Sequence, residues 1–183
     1  MRAFLVVALA LASVPDAGPS AAGYQATRWG MSEKEVRKLA PGAKADKFGS
    51  FKSLRVAATV SGLQAVVAYV FDNGTLQMVR VVFVEPRSAA EDVVADFERV
   101  DEALSGKYGE GSEKKTMWKG DDQAMPIPAA LARGDVALGR SWKVPGVFVI
   151  HQVSKSDGAL FHFIDYLSPA GTSIEARSQQ EGL

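Results

Sequence analysis

Residues 63–84 read LQAVVAYVFDNGTLQMVRVVFV, and this stretch decides the fold. Its two arms are rich in β-branched and aromatic residues, and Asn73-Gly74 lies between them. An Asn-Gly pair between two such runs predicts a β-hairpin with a two-residue turn, because both residues tolerate positive φ. A third run, residues 54–60, joins the hairpin through Ser61-Gly62. The sequence therefore predicts an antiparallel meander of three strands.

Both faces of this meander are predicted to be apolar. If Asp72 pairs with Thr75, a regular register places Tyr69 opposite Met78, on the same face as the single charge Arg80. The other face is also mostly apolar, whereas an antiparallel sheet usually leaves one face polar and solvated. We therefore expect helices to cover one face. The rest of the chain, a partner protein or a ligand is expected to cover the other.

One helix is predicted before the meander in the sequence and a second one after it. The Ser-x-x-Glu pattern at residues 32–35 is a capping box and predicts a short helix over residues 33–39. The same pattern at 88–91 predicts a longer helix that ends near Ser105, with Gly106 at its C-cap. Its acidic side is expected to be solvated. Apolar residues recur at helical spacing and predict its buried stripe: Val93, Phe97, Val100 and Leu104.

The second half of the chain predicts further strands. They cover residues 116–119, 141–153 and 159–167, with a helical turn at 129–132 and a break or bulge at Pro145-Gly146. The element order is then helix, three strands, longer helix and three strands. We predict an α+β fold with helices packed on an antiparallel sheet, an order that two αβββ units in one domain would give. The last strands either extend the first sheet or form a second layer.

The N-terminus predicts export. Arg2 precedes the uninterrupted apolar run AFLVVALALA, and Ser20-Ala21-Ala22 fits a cleavage site, so residues 1–22 are interpreted as a signal peptide. Residues 23–167 are then one domain, followed by a tail over 168–183 whose composition predicts disorder. We expect a periplasmic or extracellular protein. It is not expected to be lipid-anchored, because the chain has no cysteine.

Composition narrows the classes of function. The 21 Lys and Arg residues balance 21 Asp and Glu residues without a basic block, which argues against a nucleic-acid partner. The lack of cysteine excludes disulfides and thiolate nucleophiles. The sequence contains no Gly-x-Ser-x-Gly elbow, no His-Glu-x-x-His pair and no Gly-rich phosphate loop. These observations favour binding over catalysis.

The two histidines are the main candidates for metal chemistry. His151 and His162 lie on the last two predicted strands. A four-residue loop at 155–158 would make the two imidazoles face each other, close enough to bind one divalent metal. A two-residue Asp-Gly turn would place His151 opposite Ile164 and separate the pair. Asp165 should point to the other face and is a poor third ligand. The alternative function is therefore a small-molecule or metal-binding protein, or an enzyme, that uses this pair.

Three local motifs resemble small bacterial envelope domains. They are Trp29-Gly30-Met31-Ser32-x-x-Glu35-Val36, Phe71-Asp72-Asn73-Gly74-x-Leu76 and Lys107-Tyr108-Gly109. Such motifs are similar to those of the BamE (SmpA/OmlA-like) group and of β-lactamase-inhibitor-like αβββ modules. The resemblance implies an accessory or binding module without catalysis.

The predicted role is recognition of a protein or another envelope component through the sheet. The residues predicted to contact this partner are Tyr69, Met78, Arg80 and Trp142, since large aromatic or cationic side chains on an apolar face commonly anchor interfaces. No cofactor is predicted apart from the metal of the alternative. A homodimer formed through the sheet is a second partner arrangement that these residues would suit.

Overall fold

A computed structural model of the chain describes residues 23–119 and 123–174. It confirms an α+β fold in which helices pack on one antiparallel sheet of eight strands. The predicted signal peptide lies outside the described residues. No helix in the described ranges is long and apolar enough to cross a membrane. The elements are α1 (Glu33–Leu39), β1 (Lys44–Phe48), β2 (Phe51–Val60), β3 (Leu63–Asp72), β4 (Thr75–Phe83), α2 (Ala90–Tyr108), β5 (Lys115–Trp118), α3 (Ile127–Arg133), β6 (Val136–Val144), β7 (Val147–Ser156) and β8 (Ala159–Leu167).

The second half of the chain extends the first sheet. The strand order is β1-β2-β3-β4-β8-β7-β6-β5, so two four-stranded meanders join through their last strands. Each half has one strand more than predicted. The predicted strand at 141–153 is a hairpin, because Val144 pairs with Val147 across Pro145-Gly146. The strand β1 was not predicted because its sequence is mostly charged. It is an edge strand, where Lys and Asp are common because they discourage pairing with other chains.

The local signals in the first half are confirmed. Helix α1 has the predicted bounds and its capping box is formed. Asn73-Gly74 and Ser61-Gly62 occupy the two turns, and all four residues have positive φ. These turns depend only on neighbouring residues, which explains why the sequence predicts them well.

Helix α2 is displaced from its prediction. Its N-cap is Ala89, without a side-chain hydrogen bond, so the predicted capping box at 88–91 is not formed. The helix ends at Tyr108 with Gly109 as its C-cap, instead of Gly106. The predicted apolar stripe is nevertheless buried as expected. Packing of that stripe therefore decides the extent of the helix more than its capping residues do.

The two faces of the sheet are covered differently. Helices α1, α2 and α3 contribute buried residues such as Val36, Phe97 and Leu131 to clusters on one face, here called the covered face. The opposite face, which these helices do not cover, is called the open face. Central residues of the open face are Val66, Ala68, Met78, Arg80, Val82, Ile150, Phe163 and Asp165.

A β-bulge changes which residues share a face. The β3–β4 register shifts by one residue, leaving Gln77 without a partner in β3. Tyr69 therefore pairs with Val79, and the predicted pairing of Tyr69 with Met78 is wrong. Tyr69 stays on the covered face, whereas Met78 and Arg80 move to the open face. A slip of one residue has this effect because successive side chains of a strand alternate between the two faces.

Residues 168–174 belong to the fold, contrary to the predicted disordered tail. The amide of Ser168 donates to the carbonyl of the bulged Gln77 at 2.9 Å. A Cβ at Gly171 would lie 2.2 Å from the same carbonyl oxygen, so only glycine fits this close approach. Ile174 is fully buried in an apolar cluster on the open face. The rest of the predicted tail, 175–183, lies outside the described residues.

Truncation of Ile174 tests whether this segment stabilises the domain. We expect Ile174→Ala to lower the free energy of unfolding by about 2–5 kcal/mol, because it removes a fully buried side chain. The control is Thr172→Ala, an exposed position in the same segment, with an expected change of about 0.5 kcal/mol or less. Urea denaturation measures both. Equal stabilities of the two variants would contradict the observed packing.

Candidate functional site

The four residues predicted to contact a partner do not form one surface. Tyr69, Met78, Arg80 and Trp142 are each at most 5 % exposed. Tyr69 and Trp142 lie beneath the helices on the covered face, and the Trp142 indole donates to the carbonyl of Gly109 at 3.1 Å. Met78 and Arg80 lie on the open face. Because Met78 and Arg80 are buried, a partner that binds the open face would contact mainly the side chains around them.

Arg80 forms a buried ion pair at the centre of the sheet. Its Nε and Nη2 each donate to a carboxylate oxygen of Asp165 at 2.7 Å, and Asp165 is fully buried. The two residues are direct partners across β4 and β8, the strands that join the halves. The guanidinium lies 4.7 Å from the ring centre of Phe48 and 4.6 Å from that of Phe163. Arg80 therefore does not extend to the sheet edge as a lone surface charge would.

A cleft of about 380 Å³ opens on the open face beside this ion pair. Arg80 and Ala68 lie at its base, and the half-buried Phe161 is among its walls. Val84, 48 % exposed, lines its edge. A second cleft, of about 260 Å³, lies on the same face over β5–β7 and includes Met117, which is 41 % exposed. The open face therefore presents apolar concave surface on both halves of the sheet.

His151 and His162 are in contact, although the β7–β8 register is not the one that was expected to bring them together. The β7–β8 turn is the two-residue Asp157-Gly158, so His151 is opposite Ile164. The expectation that this turn separates the histidines is wrong. The Nε2 atoms of His151 and His162 lie 2.8 Å apart and share a hydrogen bond. Diagonal neighbours across a strand pair remain within reach of long side chains, which explains the contact.

Aromatic residues seal this pair from solvent. The ring of Phe97, from α2, stacks on His151 with centroids 4.2 Å apart. Phe83 contacts His162 at 4.3 Å. His151 is fully buried and His162 is 5 % exposed. The pair is therefore part of the packing between α2 and the sheet.

Asp101 connects the pair to a cation. The acidic side of α2 was expected to be solvated, but Asp96 and Asp101 are buried. Asp101 accepts a hydrogen bond from Arg140 Nη1 at 2.9 Å, and its other oxygen lies 3.7 Å from Nδ1 of His151. The carboxylate favours the tautomer of His151 with a proton on Nδ1. His151 Nε2 then accepts the hydrogen bond from His162 Nε2–H.

This geometry is that of a hydrogen-bonded pair and not of a metal site. Two imidazoles bound to one tetrahedral zinc, each at about 2.0–2.1 Å, would hold their nitrogens about 3.3 Å apart. The observed 2.8 Å is a hydrogen-bond distance. Within residues 23–119 and 123–174, no group of three or more His, Cys, Asp or Glu side chains is placed to hold a metal ion. The arrangement of His151 and His162 therefore does not favour the metal-binding alternative.

Burial keeps both imidazoles neutral. Desolvation, and next the neighbouring His151, lowers the pKa of His162 from 6.5 to about 3. Desolvation also lowers the pKa of His151, against the opposing attraction of Asp101. A neutral pair satisfies its shared hydrogen bond with one proton, whereas a charge on either ring would be buried without sufficient solvation.

Comparisons with known proteins identify no relative of this chain. No protein-family model, no curated protein and no solved structure matches it.

Acid is expected to destabilise the protein through these histidines. A histidine of the unfolded chain takes up a proton near pH 6.5, whereas His162 in the fold does so only near pH 3. The unfolded state therefore binds more protons in this window. The contribution of such a histidine to the free energy of unfolding is fully present above pH 6.5. As the pH decreases below this value, the free energy of unfolding falls by about 1.4 kcal/mol per pH unit for each such histidine.

Urea denaturation between pH 7 and 5 measures this slope. The variant His162→Phe replaces the imidazole by an apolar ring. We expect it to reduce the slope by about 1.4 kcal/mol per pH unit, which corresponds to about one proton. Carboxylates with ordinary pKa values contribute little in this range. An identical pH dependence in wild type and variant would contradict a neutral, buried His162.

The ion pair at the centre of the sheet is expected to show strong coupling. Arg80→Met or Asp165→Leu alone leaves one buried charge without its partner and should cost about 3–5 kcal/mol of unfolding free energy. The double variant should cost clearly less than the sum. The exposed pair Arg37–Glu33 is the control, where Arg37→Met should cost about 1 kcal/mol or less. Additive effects at Arg80 and Asp165 in a denaturation cycle would contradict this interpretation.

Proposed function

We propose that this chain is an exported, non-catalytic accessory module that binds a protein or another envelope component through the open face of its sheet. The observation that carries the proposal is the unequal covering of the two apolar faces. Helices seal one face, while apolar side chains on the other remain half-buried around two clefts. These half-buried residues are Val66, Val82, Phe148, Ile150 and Phe161. Accessible apolar surface around clefts is typical of interaction sites.

The base of the open face is suited to recognition. Arg80 is held in one orientation by two hydrogen bonds to Asp165 and by the rings of Phe48 and Phe163. A rigid surface loses little conformational entropy on binding, so more of the contact energy contributes to affinity. This supports a partner that docks on the strands themselves.

The covered face supports a role without catalysis. The buried cluster formed by His151, His162 and Asp101 is sealed beneath α2. A general acid or base must reach the proton that it transfers, and a ligand on the open face lies on the other side of the sheet. The proposal of export rests on the sequence of residues 1–22.

A paired substitution on the two sides of the molecule tests the proposal. Val84, at the open face, and Leu39, at the end of α1, are 48 % and 46 % exposed. Full-length tagged wild type, Val84→Glu and Leu39→Glu are expressed in the source cells, cross-linked in the envelope and recovered for quantitative mass spectrometry. We expect wild type and Leu39→Glu to recover the same partner, and Val84→Glu to lose at least nine-tenths of it.

Two outcomes would contradict the proposal. One is equal recovery of the partner by Val84→Glu and wild type when circular dichroism shows that both are folded. The other is loss of the partner with Leu39→Glu alone. Sedimentation of the purified protein identifies the homodimer case, in which the recovered partner is a second copy and Val84→Glu is monomeric.

A further inference from the structure

The cleft beside Arg80 has an unusual lining. Its volume is about 380 Å³, within the range of about 300–1,000 Å³ that is typical of small-molecule sites. The lining residues are Lys47, Phe48, Gly49, Arg55, Val66, Ala68, Arg80, Val82, Val84 and Phe161. Among these described residues, every one with a polar side chain is cationic, and all the others are apolar or glycine. A sugar or another polyhydroxylated ligand would lack neutral side-chain hydrogen-bond partners on these walls.

Both arginines of the cleft are held in place by carboxylates that do not line it. Arg55 bonds to Asp46 at 2.8 Å and donates to the carbonyl of Lys47 at 3.1 Å. Arg80 is held by the buried Asp165. The cleft therefore presents cationic groups together with apolar walls. The carboxylate that balances Arg80 is fully buried, and the one that balances Arg55 lies on the edge strand β1, outside the lining.

We propose that this cleft binds a single-chain anionic amphiphile, with its hydrocarbon chain against the apolar walls and its carboxylate toward Arg55. This inference rests on the proposed function, since it names one envelope component that the open face accepts. Apolar surface removed from water drives the binding of the chain. The attraction between carboxylate and guanidinium selects the anionic head and should weaken as salt increases.

Head-group selection is the first test. Purified full-length protein is titrated calorimetrically with dodecanoate and with its neutral glycerol ester, both below their micellar concentrations. We expect dodecanoate to bind at least tenfold more tightly than the ester. Equal affinities, or no binding of dodecanoate at millimolar concentration, would overturn the inference.

Matched arginine variants locate the site. Arg55→Gln should weaken dodecanoate at least fivefold and leave the neutral ester unchanged. Arg37→Gln is the control, because Arg37 also forms an exposed ion pair but lies on α1. Val82→Trp, which fills the cleft from a half-buried position, should abolish binding of both probes. Unchanged dodecanoate binding in Arg55→Gln or in Val82→Trp would overturn the inference.

The inference and the proposed function fail in different ways. If dodecanoate does not bind but Val84→Glu still loses its cross-linked partner, the amphiphile is wrong and the open-face binding function stands. If dodecanoate binds as expected and no partner depends on Val84, the amphiphile itself is the ligand and recognition of a protein is wrong.

Discussion

The pairing of β4 with β8 is the constraint on which the rest of the structure depends. It joins two meanders into one sheet, and the Arg80–Asp165 ion pair lies at its centre. Removing two charges from water costs several kcal/mol per ion, so such a pair is tolerated only with near-ideal geometry. Two parallel hydrogen bonds and two flanking aromatic rings provide that geometry. A shift of β4 against β8 by one residue would place the two charges on opposite faces of the sheet and leave both without this partner.

The Gln77 bulge allows this pairing. If Gln77 instead paired with Val70 in a regular register, Arg80 would be opposite Val67 and point toward the helices, and Asp165 would have no cation opposite it. The bulged residue is itself held by Ser168, whose amide bonds to the Gln77 carbonyl. The segment after β8 thus stabilises the irregularity that sets the register of β4. Bulges commonly redirect side chains at functional surfaces, and here the bulge delivers an arginine to the base of a cleft.

The buried polar cluster and the accessible apolar surface lie on different faces of the sheet. On the covered face, a chain of contacts runs from Arg140 through Asp101 to His151 and His162, between α2 and the sheet. Its burial leaves little for a ligand to contact. On the open face, buried and half-buried apolar side chains surround a fixed cation. This division is the reason that binding through the open face is proposed here in preference to chemistry at the histidines.

The sequence by itself determined the features that depend on neighbouring residues. These are the capped helix α1, the Asn73-Gly74 turn, the apolar stripe of α2, the α+β class and the placement of Asp165 and His162 on opposite faces of the sheet. Only the tertiary structure decided the order of the strands, the bulge, and therefore the separation of Tyr69 from Met78. It also decided that His151 and His162 meet diagonally and that Asp101 is buried. Turn and cap preferences act over a few residues, whereas register and burial are set by strands and helices far away in the chain.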